Sequence, residues 1–123
     1  MMKTLKSVLT IILEGNTTDI KPMIKKYSIG MYRYITIPLY VEQENSIYSY
    51  YNYTVLSNKY NYDDLVDEFI KLIYSDKQMF AIINNYLLDP SNETTLNEFN
   101  EMQAVRKEAK DLAKDILSRY PLE

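Results

Sequence analysis

The densest group of side chains that could do chemistry is Asp63, Asp64, Asp67 and Glu68. On a helix, Asp64, Asp67 and Glu68 share one face, because residues three and four apart are neighbours there. Carboxylates placed so can hold Mg²⁺ or Ca²⁺ through oxygen. The competing reading is a first helical turn rich in acids, which the positive end of the helix dipole favours. We prefer the second on the dipole argument, and the chain has neither histidine nor cysteine. Without them there is no ordinary general base near neutral pH, no Ser–His pair, no imidazole or thiolate ligand and no cysteine nucleophile. The two glycines, Gly15 and Gly30, stand alone, so no glycine-rich loop cradles a phosphate. No catalytic residue, metal ligand or cofactor is assigned, and the chain is expected not to be an enzyme.

Binding chemistry is better represented. Ten of the thirteen tyrosines lie between Tyr27 and Tyr62. A phenol ring has an apolar body and a polar tip, which suits a half-wet surface, and tyrosine is enriched where proteins meet. Tyr32, Tyr34, Tyr40, Tyr48, Tyr50, Tyr51 and Tyr53 are therefore the candidate protein-interface residues. The plainer alternative is cross-strand aromatic pairing on a solvated sheet face, worth about 0.2–1 kcal/mol per pair. Lys25, Lys26 and Arg33, beside Tyr27, Tyr32 and Tyr34, are the best nucleic-acid candidates, since rings stack bases and cations neutralise phosphate. The net charge of −3 and a pI near 5.0 argue against that use. Charge is uneven, +4 through Tyr40 and −7 beyond it, which can mark a polarised surface.

These side chains need elements to position them. From Met31 to Val41 residues alternate: Met31, Arg33, Ile35, Ile37, Leu39 and Val41 on one face, Tyr32, Tyr34, Thr36, Pro38 and Tyr40 on the other. Ile47 to Leu56 alternates likewise, with Ile47, Ser49, Tyr51, Tyr53 and Val55 against Tyr48, Tyr50, Asn52, Thr54 and Leu56. Period two with β-branched and aromatic residues predicts two strands. Glu42 to Ser46 would join them as a hairpin loop of about four or five residues. Pro38 cannot donate to a ladder, so its strand should be an edge or bulged there.

The remainder reads as helix. Leu5, Val8, Leu9 and Ile12 share a helical face and Gly15 could follow a C-cap, although β-branched Val8, Thr10, Ile11 and Ile12 also suit a strand. Asn16 to Asp19 reads as a polar loop, and Ile20 to Tyr27 as a short helix with Pro22 in its first turn. Asn61 caps a helix over about 62–74 that carries Leu65, Val66, Phe69, Ile70 and Ile73. Ser75-Asp76 opens another over about 77–88, apolar around half its girth and so expected to be central. Thr95 to Glu98 reads as a capping box that opens a helix over about 96–119. The fold class is α+β: a Tyr-rich antiparallel hairpin or small sheet (about 31–56) packed against those helices, with a short N-terminal helical segment.

Length predicts one domain over residues 1–123. Lys3, Lys6 and the short run Val8–Leu13 do not make a secretory signal, and no stretch approaches the roughly 20 apolar residues of a membrane span. A cytoplasmic location and no membrane partner are expected. The Asn-x-Thr triplets at Asn16, Asn52 and Asn92 then carry no sugar. Two functions fit. The first is a non-catalytic structural, assembly or protein-interaction subunit whose partners are copies of itself or other subunits. The second is a small nucleic-acid-binding or host-factor-inhibiting regulator. Richness in Ile, Lys, Asn and Tyr suits an AT-rich phage or mobile element, so a tailed-phage virion connector or accessory protein is one form of the first.

Overall fold

Every α-helix begins where a polar side chain accepts a backbone N–H that has no partner inside the helix. The computed structural model describes residues 3–122. Its helices are α1 (Leu5–Ile12), α2 (Tyr62–Lys71), α3 (Asp76–Leu88) and α4 (Glu93–Arg119), capped by Thr4, Asn61, Ser75 and Asn92. The acceptor distances run from 2.9 Å (Thr94 N–H to Asn92 Oδ1) to 3.1 Å (Gln78 N–H to Ser75 Oγ) for the first N–H at each cap. The strands are β1 (Glu14–Thr18), β2 (Lys25–Ile29), β3 (Tyr32–Glu44) and β4 (Ile47–Leu56), and a 3-10 turn spans Ser57–Lys59.

The strands form one antiparallel sheet in the order β1-β4-β3-β2, with α1, α2 and α4 on one face. This is the expected α+β class, with a sheet wider than a hairpin. Ile35, Ile37 and Leu39 of β3 and Tyr53 and Val55 of β4 point inward. They meet Leu5 and Leu9 of α1, Leu65 and Phe69 of α2, and Ala109, Ala113 and Ile116 of α4. Ala109 and Ala113 let the helical layer come close, as expected of small residues at a contact. A second, smaller cluster of Tyr74, Met102 and Val105 lies under α3. Arg119 and Asp115 bond at 2.9 Å and Lys107 and Asp111 at 3.1 Å, as their i,i+4 spacing predicts.

Several expectations are corrected. The expected short helix over Ile20 to Tyr27 does not form: residues 20–24 are irregular, and Lys25–Ile29 is edge strand β2, paired with Tyr32–Thr36. Residues 16–18 are not loop but part of β1, paired with Tyr48–Tyr50. Gly15 does not follow a C-cap. It sits in β1 opposite Tyr51, whose ring carbon lies 3.4 Å from where a Cβ would be, so glycine leaves room for that ring. The β3–β4 loop is shorter than expected, because Glu42, Gln43 and Glu44 continue the ladder and only Asn45 and Ser46 turn. Both have positive φ, the pattern of a two-residue hairpin turn whose twist matches its strands. Pro38 fits its expected place. β2 stops pairing at Thr36, so the β2 side of β3 is open from Ile37 on, and the register shifts between Leu39 and Glu42. The last helix opens at Asn92, before Thr95–Glu98, and Thr95 Oγ1 bonds the carbonyl of Asp89 instead. Helix α3 is peripheral, not central: none of its residues is buried.

Candidate interaction surface

Pairing register decides which phenols face outward. Residues directly opposite share a face, so Tyr27, Tyr32 and Tyr34 of β2 and β3, and Tyr48 and Tyr50 of β4, lie on the face away from the helices. Tyr27 and Tyr34 are register partners and their rings stack, with centroids 5.5 Å apart and planes at 23°. Tyr32 beside them is 58% exposed, with Ile29 and Met31 also in solvent. Thr36 and Thr54 hydroxyls bond across this face at 2.9 Å.

The rest of the outer face is partly covered. β1 and β2 lie at opposite edges, so residues 19–24 must cross the sheet. They do so over the outer face, where Tyr50 lines one hollow with Ile20, Pro22 and Met23. Pro22 in this strap is buried, and so is Pro38 beneath that face. Tyr48 and Tyr50 are consequently half-buried.

Three of the candidate tyrosines are on the other side. Tyr53 is a core residue at 8% exposure, its ring 5.2 Å from Phe69 and its hydroxyl donating to Glu68 Oε2 at 2.9 Å. Burial, then the Glu68 carboxylate, pushes its phenol well above the usual range. Tyr51, opposite Leu39, is half-buried against the same core. Tyr40 was expected among the outward phenols. Its φ of 53° lies in the register shift, and the extra residue turns its ring to the helical side. There Lys6 Nζ sits 5.3 Å from the ring centroid. Burial and the charge of Glu108 raise the Tyr40 phenol to about 12. Alternation alone could not have shown this, because a bulge reverses every position after it.

Lys25, Lys26 and Arg33 lie along the β2–β3 ladder, all exposed, but the three do not come together. Lys25 shares the outer face with Tyr27. Lys26 and Arg33 stand on the inner side, beyond the helical layer, and line a hollow of about 360 Å³ with Tyr27, Tyr34 and Ser57. The acidic group separates into individual roles. Asp64 accepts from the Asn61 side-chain amide at 2.7 Å, Asp67 pairs with Lys71 at 3.0 Å, and Glu68 holds Tyr53. Among the described residues, no group of three or more carboxylates gathers to hold a metal ion.

A further surface was missed. On α3 the seam Met79, Ile82, Ile83 and Tyr86 packs on α4, where Tyr86 stacks on Phe99 at 4.3 Å. A second stripe points away from everything: Phe80 is 68%, Leu87 68% and Leu88 84% exposed. In the sequence this shows as more apolar residues than one seam uses, a pattern that equally fits a central helix. Among the described residues, no helix is long and apolar enough to cross a membrane. Compared with family models, with curated proteins and with solved structures, the chain matches none.

Proposed function

We propose that this chain is a non-catalytic protein-interaction subunit that docks through exposed apolar side chains. The observation that carries the reading is the uncovered stripe Phe80, Leu87 and Leu88, with a second exposed group, Tyr32, Ile29 and Met31, at the open end of the sheet. Large apolar groups gathered in solvent mark surfaces that a partner desolvates. Its composition suits coding by an AT-rich phage or mobile element, so the form we propose is a tailed-phage virion connector or accessory protein. Sedimentation of the purified protein, alone and added to lysate, tests this. We expect complexes that Phe80→Glu or Tyr32→Ser weakens while the melting temperature holds. A strictly monomeric protein that retains nothing would sink the reading.

One observation favours a second reading, a nucleic-acid-binding regulator. Lys26 and Arg33 line the same hollow as the stacked pair Tyr27 and Tyr34, and no carboxylate lines it among the described residues. Cations at such a hollow suit the phosphates of a single strand. Filter binding of single-stranded oligonucleotides at about 50 mM salt decides, because phosphate contacts are strongest there. No retention at that salt ends this alternative.

A further inference from the structure

The outward stripe of α3 has an internal symmetry. Phe80 and Ala81 precede Asn84 by four and three residues, and Leu87 and Leu88 follow it by three and four. All five are exposed on one face of an α-helix. Set antiparallel against an identical helix about a two-fold axis at Asn84, the stripe meets itself in register. Phe80 faces Leu88 of the second copy, small Ala81 faces large Leu87, and Asn84 faces Asn84. A self-complementary patch of this kind is what an isologous interface requires. The amide can both donate and accept, so two of them satisfy each other across the axis, as a lone polar residue in a helical seam fixes register. The ends agree too. Between Gln78 and Leu88 there is no charge to desolvate. The last turn of α3 has no basic residue and ends on Asp89. The antiparallel arrangement brings Lys77 of the other copy to that carbonyl-rich end.

We propose that α3 pairs with α3 of a second copy of this chain, antiparallel about Asn84. The proposal rests on the protein-interaction reading above and names its partner. The stripe offers roughly 400–500 Å² per copy, so the total of about 800–1,000 Å² sits at the low end for a specific interface. The dimer is therefore reversible, with a Kd on the order of micromolar to tens of micromolar.

The test is sedimentation equilibrium on the purified full chain across about 1–300 µM, a range set by that Kd. Wild type is expected to shift from monomer to dimer, and no further. Asn84→Asp places two like charges face to face at the axis and should raise the Kd by about 100-fold. Asn84→Lys should do the same. Asn84 is solvent-exposed in the monomer, so circular dichroism melts of both variants should stay within about 2 °C of wild type. Mixed in equal amounts, the two variants should form the dimer again, because the axis then holds opposite charges. A wild type that stays monomeric throughout overturns the pairing. So does a mixture of the two variants that fails to associate, since an asymmetric contact would feel each charge singly. Either failure is distinct from failure of the broader reading, which requires also that no protein be retained from lysate.

Discussion

Tyr53 of β4 and Tyr32 of β3 belong to one sheet but face opposite ways. One is enclosed against Phe69 and bonded to Glu68, and the other faces solvent. Tyr53→Ala should therefore cost about 3–5 kcal/mol in urea unfolding, as truncating a buried aromatic does. Tyr53→Phe should cost about 1 kcal/mol for the lost hydrogen bond, and Tyr32→Ser within about 0.5 kcal/mol. Comparable losses for Tyr53→Ala and Tyr32→Ser would show the faces reversed. The phenols also set an alkaline limit. Tyr40, Tyr60 and Tyr74 are raised to about 12, mainly by burial, and Tyr53 is raised further. The unfolded value is near 10, so the folded state keeps protons that the unfolded state releases. Their contribution is whole below pH 10 and is lost as pH climbs from 10 through 12. Melting temperatures should fall steeply in that window. Because Tyr60 donates to the carbonyl of Tyr120 at 2.6 Å, Tyr60→Phe should lower stability at pH 8 and soften the alkaline decline.

At the scale of elements, the helices were legible because each carries its own signals. Asn61 and Ser75 are read from their positions before an apolar periodic run, and the structure uses both as caps. Strands β1 and β2 carry no such local signal. Every residue of β2 is exposed, so no alternation of burial is imprinted on it. Glu14–Thr18 becomes strand only because β4, more than thirty residues on, offers it an edge. Partners that distant leave little trace in a short polar segment. The faces of β3 were legible up to Leu39 and lost at the bulge. For the candidate surface, the tyrosine run gave Tyr32 and Tyr34 their place. Periodicity could name the apolar positions of α3 but not what covers them. The β3–β4 turn supplies a prediction of its own. Ser46 is left-handed with φ of 67°, a region costing an L-residue roughly 1 kcal/mol, which glycine escapes. Ser46→Gly should raise the urea midpoint by the equivalent of about 0.5–1 kcal/mol. A lower midpoint would mean that the turn does not adopt this backbone.

Across the whole molecule, the apolar interior is split. The larger cluster ties sheet to helices through residues such as Ile37, Phe69 and Ala109. The smaller, at Tyr74, Met102 and Val105, takes the seam of α3 at Met79, Ile82 and Ile83, and of these only Met79 also borders the larger. Helix α4, 27 residues long, places buried residues in both. Its C-terminal half is clamped by Ala113 and Ile116, while its first turns pack on α3 through Phe99. Local stability follows the number of buried contacts, so the α3 end should open without the sheet. Native-state hydrogen exchange measured below about 1 µM, where self-association is negligible, should give α3 amides opening free energies well below those of β3 and β4. Met102→Ala should deepen that difference, because it empties the smaller cluster alone. Were α3 and β3 to exchange together, the molecule would be one cooperative unit, and the surface on α3 would be as rigid as the sheet. If α3 does open first, a partner that covers Phe80 and Leu87 has a second effect. It closes the weakest part of the chain, and protection in α3 should rise with partner concentration while that of β3 stays fixed.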